Sequence, residues 1–118
     1  MKTDEKIKFL NFLGLARRAG KTVHGMPLVC ASLSARQPSL LVVASSEASD
    51  GTKKKITSQC TFYHVPLLFF PCSTDELAHA VGKTGNMATV GVTDERFAAQ
   101  LTNIYEKGKE TSARSEER

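Results

Sequence analysis

No apolar run in this 118-residue chain approaches the roughly 18 residues that a membrane-crossing helix needs. The opening Met1-Lys2-Thr3-Asp4-Glu5 is also unlike a secretory signal, so the cytoplasm is the expected compartment, with no membrane partner. Cysteine is scarce: three residues, an odd number without framework spacing, fit reduced thiols and not a disulfide scaffold. Cys60 and His64 have the spacing of a ligand pair on a helix. A zinc site takes three or four ligands, however, and Cys30, Cys72 and His79 supply no second pair. No metal and no other cofactor is therefore expected. A complete nucleotide-binding phosphate loop is missing as well. Gly20-Lys21-Thr22 and Gly82-Lys83-Thr84 resemble the end of one, yet Leu15 and Leu77 stand where its first glycine belongs. Both triplets also follow helical patterns instead of strands. No acid, base and nucleophile form a recognisable constellation, so no catalytic residue is assigned and the chain does not read as an enzyme.

What the chain does have is positive charge gathered in one half. Residues 1–55 hold ten Lys and Arg against four Asp and Glu, a balance of +6. Residues 56–118 hold six against eight, a balance of −2, which leaves the net +4 of the whole. Charge concentrated in this way is the electrostatic footprint of a polyanion site, although a solvated basic surface explains it equally well. With 41% hydrophobic and 24% charged residues the composition is that of an ordinary globular domain.

Thr3 reads as a helix cap, followed by Asp4 and Glu5 in the first turn and by Phe9, Phe12, Leu13 and Ala16 at helical spacing. Gly14 inside that helix costs about 1 kcal/mol relative to alanine, which implies a close neighbouring backbone. Arg17 and Arg18 occupy the last turn, and Gly20 closes it. Thr22 and Val23 form a very short strand, and Pro27 opens a second helix. Leu40 to Ala44 reads as a strand covered on both faces, and a helix follows from Asp50 to Tyr63 with Ile56, Cys60 and Tyr63 inward. Lys53, Lys54 and Lys55 at its start oppose the helix dipole at a cost of about 0.3–1 kcal/mol, which suggests another use for them. Val65 to Phe70 is a further strand, Ser73 to Glu76 is a capping box, and Cys72 with Leu77 fits a hydrophobic staple. The loop Lys83 to Asn86 leads into a strand over Met87 to Val92. Thr93 then caps a last helix with Phe97, Leu101, Ile104 and Tyr105 on one face. The expected fold is α/β, a single-domain three-layer α/β/α sandwich with a small central, largely parallel or mixed sheet. It should span residues 1–106, with 107–118 a disordered polar tail.

Arg17, Arg18, Lys21 and His24 fall within eight residues, in a loop bounded by Gly20 and Gly25 that runs into a helix start. Unpaired N–H groups there suit an anion such as phosphate. Neither this loop nor Lys83 to Asn86 contains Phe, Tyr or Trp, so neither can stack a base on an aromatic ring.

Leu13-Gly14-Leu15-Ala16-Arg17-Arg18-Ala19-Gly20-Lys21, Leu40 to Ala44 and Thr52-Lys53-Lys54-Lys55-Ile56 resemble the kink-turn-binding ribosomal protein family. The likeness continues through Val65-Pro66, Asp75-Glu76-Leu77, Gly82-Lys83 and Val90 to Asp94. It covers residues 6 to 105 and is greatest to the family's bacterial YlxQ-like branch. The resemblance implies an α/β/α sandwich that binds structured RNA, ribosomal or otherwise kink-turn-like, in a ribosome or another ribonucleoprotein. It implies contacts from Arg17, Arg18, Gly20, Lys21, Thr22, His24, Gly25, Met26 and Lys53, together with Lys83, Gly85, Asn86 and Met87. It also implies that the two glycine-bounded loops are neighbours in space. Kink-turn binders open their second helix with asparagine and glutamate and add a lysine one turn later. Pro27, Leu28 and Ala31 stand there instead, which removes the side chains that read sheared purine pairs. The alternative implied is a protein-interaction adaptor of a translation-related complex that has lost this selectivity.

Overall fold

The computed structural model describes residues 2–117, with side chains as far as Lys109. Helix α1 spans Thr3–Arg18 and buries Phe9, Leu13 and Ala16. Its cap is Lys2, not the expected Thr3, and the Lys2 backbone N–H donates to the Glu5 carboxylate at 3.2 Å. A β-carbon at Gly14 would lie 2.9 Å from the Ala80 carbonyl oxygen, the close backbone approach that the mid-helix glycine implied.

Strand β1 (Thr22–His24), helix α2 (Met26–Ser32), strand β2 (Leu41–Ser45), helix α3 (Asp50–Tyr63) and strand β3 (Leu67–Phe70) follow. Helix α4 (Thr74–Ala80), strand β4 (Thr89–Val92) and helix α5 (Glu95–Glu117) complete the chain. The strands order as β1-β4-β2-β3. Only β2 and β3 are parallel, whereas β4 is antiparallel to both β1 and β2, so the sheet is mixed. The reversal follows α4, where residues 81–88 lead the chain back to the end of the sheet at which α4 began. The seven-residue α2 does connect two strands that run the same way, so helix length alone does not set the direction. Met87 N–H accordingly reaches the Thr74 carbonyl, and Ser45 N–H reaches that of Ala88.

All five residues of β2 are buried, and their alternation feeds two cores. Leu41 and Val43 join Phe9, Leu13, Phe70, Leu77, Val90, Val92 and Leu101 beneath α1, α4 and α5. Phe9 stacks on Phe70 with ring centroids 4.0 Å apart. Val42 faces the other way, toward Val29, Leu33, Ile56 and Cys60 of α2 and α3. Each such side chain contributes about 1.5–3 kcal/mol when fully buried, which makes β2 the stable centre of the sandwich. Tyr63, expected inside, is 37% exposed, its ring against that of Phe62.

One further expectation is revised at the C-terminal end. Asp94, not Thr93, caps α5, its carboxylate accepting from the Arg96 and Phe97 N–H groups at 2.9 and 3.1 Å. Helix α5 spans Glu95–Glu117. Residues 106–109 contain no helix breaker but Gly108, and the Lys109 ammonium lies 5.3 Å from the Tyr105 ring centre, a one-turn contact that favours continuation.

Candidate functional site

Because β1, β2 and β3 run the same way, α2, α3 and α4 all begin at one end of the sheet. Strand β4 starts from that same end, so the loop of residues 81–88 ends among three helix starts. Gly25 N–H donates to the Thr89 carbonyl at 3.1 Å, which seats the turn into α2 directly beside that loop. Gly25 holds φ +86, a conformation that side chains resist, and α2 has no side-chain cap. The turn into α2 is thus bonded to Thr89, the residue at which the chain leaves the second glycine-bounded loop and enters β4.

The charged groups converge at this sheet edge. The Arg17 guanidinium, from the last turn of α1, packs over Gly82. His24 bonds through Nε2 to the Thr22 hydroxyl at 2.8 Å. Desolvation first, then the charges of Lys83 and Arg17, hold its pKa below the usual histidine value. His24 is therefore a neutral imidazole flanked by two cations. Arg17, Lys21, Lys53 and Lys83 make no ion pair among the described residues, whereas Lys6 is tied to Glu76 at 3.0 Å. Neither loop contains an acid, but Asp75 follows Thr74, whose hydroxyl and carbonyl bond to Asn86 and Met87 of the second loop, so one carboxylate stands beside it.

His24, Gly25, Met26, Asn86 and Met87 are thus brought to one end of the sheet, with Gly85 in the loop that returns there. The Lys83 and Arg17 charges reach His24 from the C-terminal ends of α4 and α1. Thr22, opposite Val92 toward the other end of β1, is tied to His24 through its hydroxyl. Asn86 accepts from the Thr74 hydroxyl at 3.2 Å, which fixes the loop against the start of α4. Lys53 sits in the first turn of α3 at the same end, two strands away. Lys21 is not brought in. Its carbonyl accepts from Thr93 N–H at the opposite end of the β1–β4 ladder, about 13 Å of strand from Gly25. Gly20 and Arg18 lie at that far end too, where α1 hands over to β1. Sequence spacing had grouped Lys21 with His24, but three extended residues separate them more than a loop would.

Two features of the site had no sequence signal. One is the Arg17 seat on Gly82. The other is Thr89, completely buried behind the second loop, whose hydroxyl finds no hydrogen-bond partner among the described residues. Burial pushes the Cys60 and Cys72 thiols up to about 11, so both stay protonated. No group of His, Cys, Asp and Glu among the described residues could hold a metal ion. No described helix is long and apolar enough to cross a membrane.

Comparison with known proteins gives a consistent picture. Residues 8–102 match the model of the ribosomal protein L7Ae/L30e/S12e/Gadd45 family. The chain is 32% identical to the RNA-binding protein YlxQ of Enterococcus faecium, over 90% of its own length and 99% of the relative's. It is 34% identical to the Bacillus subtilis protein of the same name, covering 85% and 97%. Among solved structures, a Bacillus halodurans protein described as of unknown function superimposes with a TM-score of 0.77 at 32% identity. That match covers 84% of this chain and 97% of the other. The 15.5 kD RNA-binding protein of Giardia lamblia superimposes with a TM-score of 0.72, covering 91% and 89%, and at 15% identity it shows a shared fold.

Proposed function

Since this chain belongs to the ribosomal protein L7Ae/L30e/S12e/Gadd45 family, we propose that it binds structured RNA, without catalysis, at the end of the sheet where its two glycine-bounded loops meet. The observation that carries this reading is the Gly25 to Thr89 hydrogen bond. It supports a shared surface by holding the turn into α2 against the end of the second loop, with the unpaired Arg17 and Lys83 charges acting on His24. Backbone N–H groups of the turn and the cations address phosphate and sugar, which position an RNA without reading its bases. Lys53 supplies a further phosphate contact from α3, and Met26 and Met87 offer apolar surface to a splayed base.

Ribosomal RNA or another RNA with a kink-turn-like bend is the ligand class, in the ribosome or a comparable ribonucleoprotein. Discrimination of the sheared pairs is absent in this reading, because Pro27, Leu28 and Ala31 carry no hydrogen-bonding side chain. A gel shift at about 50 and 200 mM salt tests both parts, comparing a kink-turn RNA with the same RNA lacking its sheared pairs. Equal affinities that fall steeply with salt are expected. Failure to bind either RNA at low salt would remove the proposal.

One observation favours a second reading, an adaptor for a protein partner. Leu28 is 61% exposed on the first turn of α2, next to exposed Pro27 and Ala31. A partner retained after nuclease treatment in high salt would support it.

A further inference from the structure

The loop site leaves most of α3 unused, and α3 is unusual in two respects. Between Asp50 and Asp75 the chain contains no acidic residue, while Lys53, Lys54 and Lys55 fall in the first two turns of the helix. They oppose the positive end of the helix dipole there, a placement that helix stability alone disfavours. At the other end of α3 lies the most exposed large hydrophobic residue described, Phe62 at 74%. Phe62 meets Tyr63 edge to face, with centroids 4.9 Å apart and an interplanar angle of 78°. Such a pairing covers at most one face of the Phe62 ring and leaves the other open to solvent.

Of the three lysines Lys55 shares the Phe62 side of the helix, Lys54 stands about 80° round from it and Lys53 about opposite. Lys55 and Phe62 are seven positions apart, two turns that return to nearly the same face, and exposed Ser58 lies between them. The rise between Lys55 and Phe62 is about 10 Å. The helix begins at the same end of the sheet as α2, two strands from β1. An apolar peptide would gain nothing from the lysines, and an anionic lipid surface would not need a single open ring. A run of cations leading to one aromatic face matches a single strand, whose phosphates pair with the lysines while a base stacks on the ring.

Building on the RNA reading above, we propose that α3 is a track for single-stranded RNA, on which Lys54 and Lys55 hold the phosphates of a strand leaving the structured element and Phe62 stacks one of its bases. The partner is then a structured RNA with an unpaired extension. Stacking on one ring is tolerant of sequence, so the track adds affinity and direction without a base code.

The chain contains no tryptophan, so Phe62→Trp introduces a single indole at an exposed position where the fold is not at risk. The full chain carrying this change is titrated with a hairpin RNA and with the same hairpin bearing about six unpaired nucleotides at either end. Quenching of the indole by one extended RNA, but not by the bare hairpin, is expected. The wild-type chain should bind that extended RNA at least about fivefold more tightly than the hairpin. Phe62→Ala should abolish the gain and leave hairpin affinity unchanged. Equal affinity for all three RNAs with an unquenched indole would overturn the track and leave the loop site standing. A gain that persists in Phe62→Ala would equally overturn the stacking role. Binding of none of the RNAs would overturn the loop reading, and the track with it.

Discussion

The guanidinium carbon of Arg17 lies 3.1 Å from the point where Gly82 would carry a β-carbon. Gly82 also has φ +70, so any side chain there meets both backbone strain and the arginine. Gly82→Ala should therefore cost about 1–2 kcal/mol of stability and swing Arg17 away from the second loop. Chemical denaturation measures the first effect and RNA affinity the second. Unchanged RNA affinity in this variant would show that the Arg17 seat plays no part in binding.

Charge reversal should separate the two lysines of the glycine-bounded loops. Lys83→Glu removes a cation beside His24 and should weaken RNA binding about tenfold at ~0.1 M salt. Lys21→Glu acts at the far end of the β1–β4 ladder and should weaken it much less. A salt titration of both variants checks this ordering, and the reverse order would move the site to the other end of the sheet.

His24 links pH to both folding and binding. Its folded pKa lies below the ordinary 6.5, through desolvation first and then Lys83 and Arg17. The unfolded chain therefore binds more protons, and stability rises with pH across that interval. The contribution is complete above about pH 6.5 and is lost as pH falls toward the folded value. Phosphates beside the imidazole would oppose this shift, so RNA should bind more tightly at pH 6 than at pH 7.5. His24→Gln should flatten both profiles, as unfolding curves and affinities over that range would reveal.

Gly14→Ala sets two effects against each other. Alanine gains about 1 kcal/mol of helix propensity, but its methyl group would sit 2.9 Å from the Ala80 carbonyl oxygen. Overpacking against backbone costs about 1–3 kcal/mol, so a net loss in melting temperature is expected. A rise would mean that α1 and α4 separate freely.

Much of this architecture was legible because its signals are local. The capping box of α4 needs only Ser73 and Glu76, and the burial of β2 on both faces needs only five apolar residues in a row. Strand direction was harder to read, since it depends on whether the chain crosses the sheet or doubles back after α4. Lys21 illustrates the same limit at the site. In a loop Lys21 and His24 could fold close together, whereas the extended β1 holds them about 10 Å apart. The juxtaposition of Arg17 with Gly82 rests on the packing of α1 against α4, which no spacing encodes.

Strand β1 lies at the rim of the sheet, with three residues and a single neighbour, whereas β2 is enclosed from both sides and both faces. The surface assigned to RNA thus hangs on the part of the sheet with the fewest restraints. It can open and close, exposing the Val23 and Gly25 amides to exchange, while the centre stays shut. Contact with a ligand that clamps this rim would register as slower exchange there, and nowhere else in the sheet.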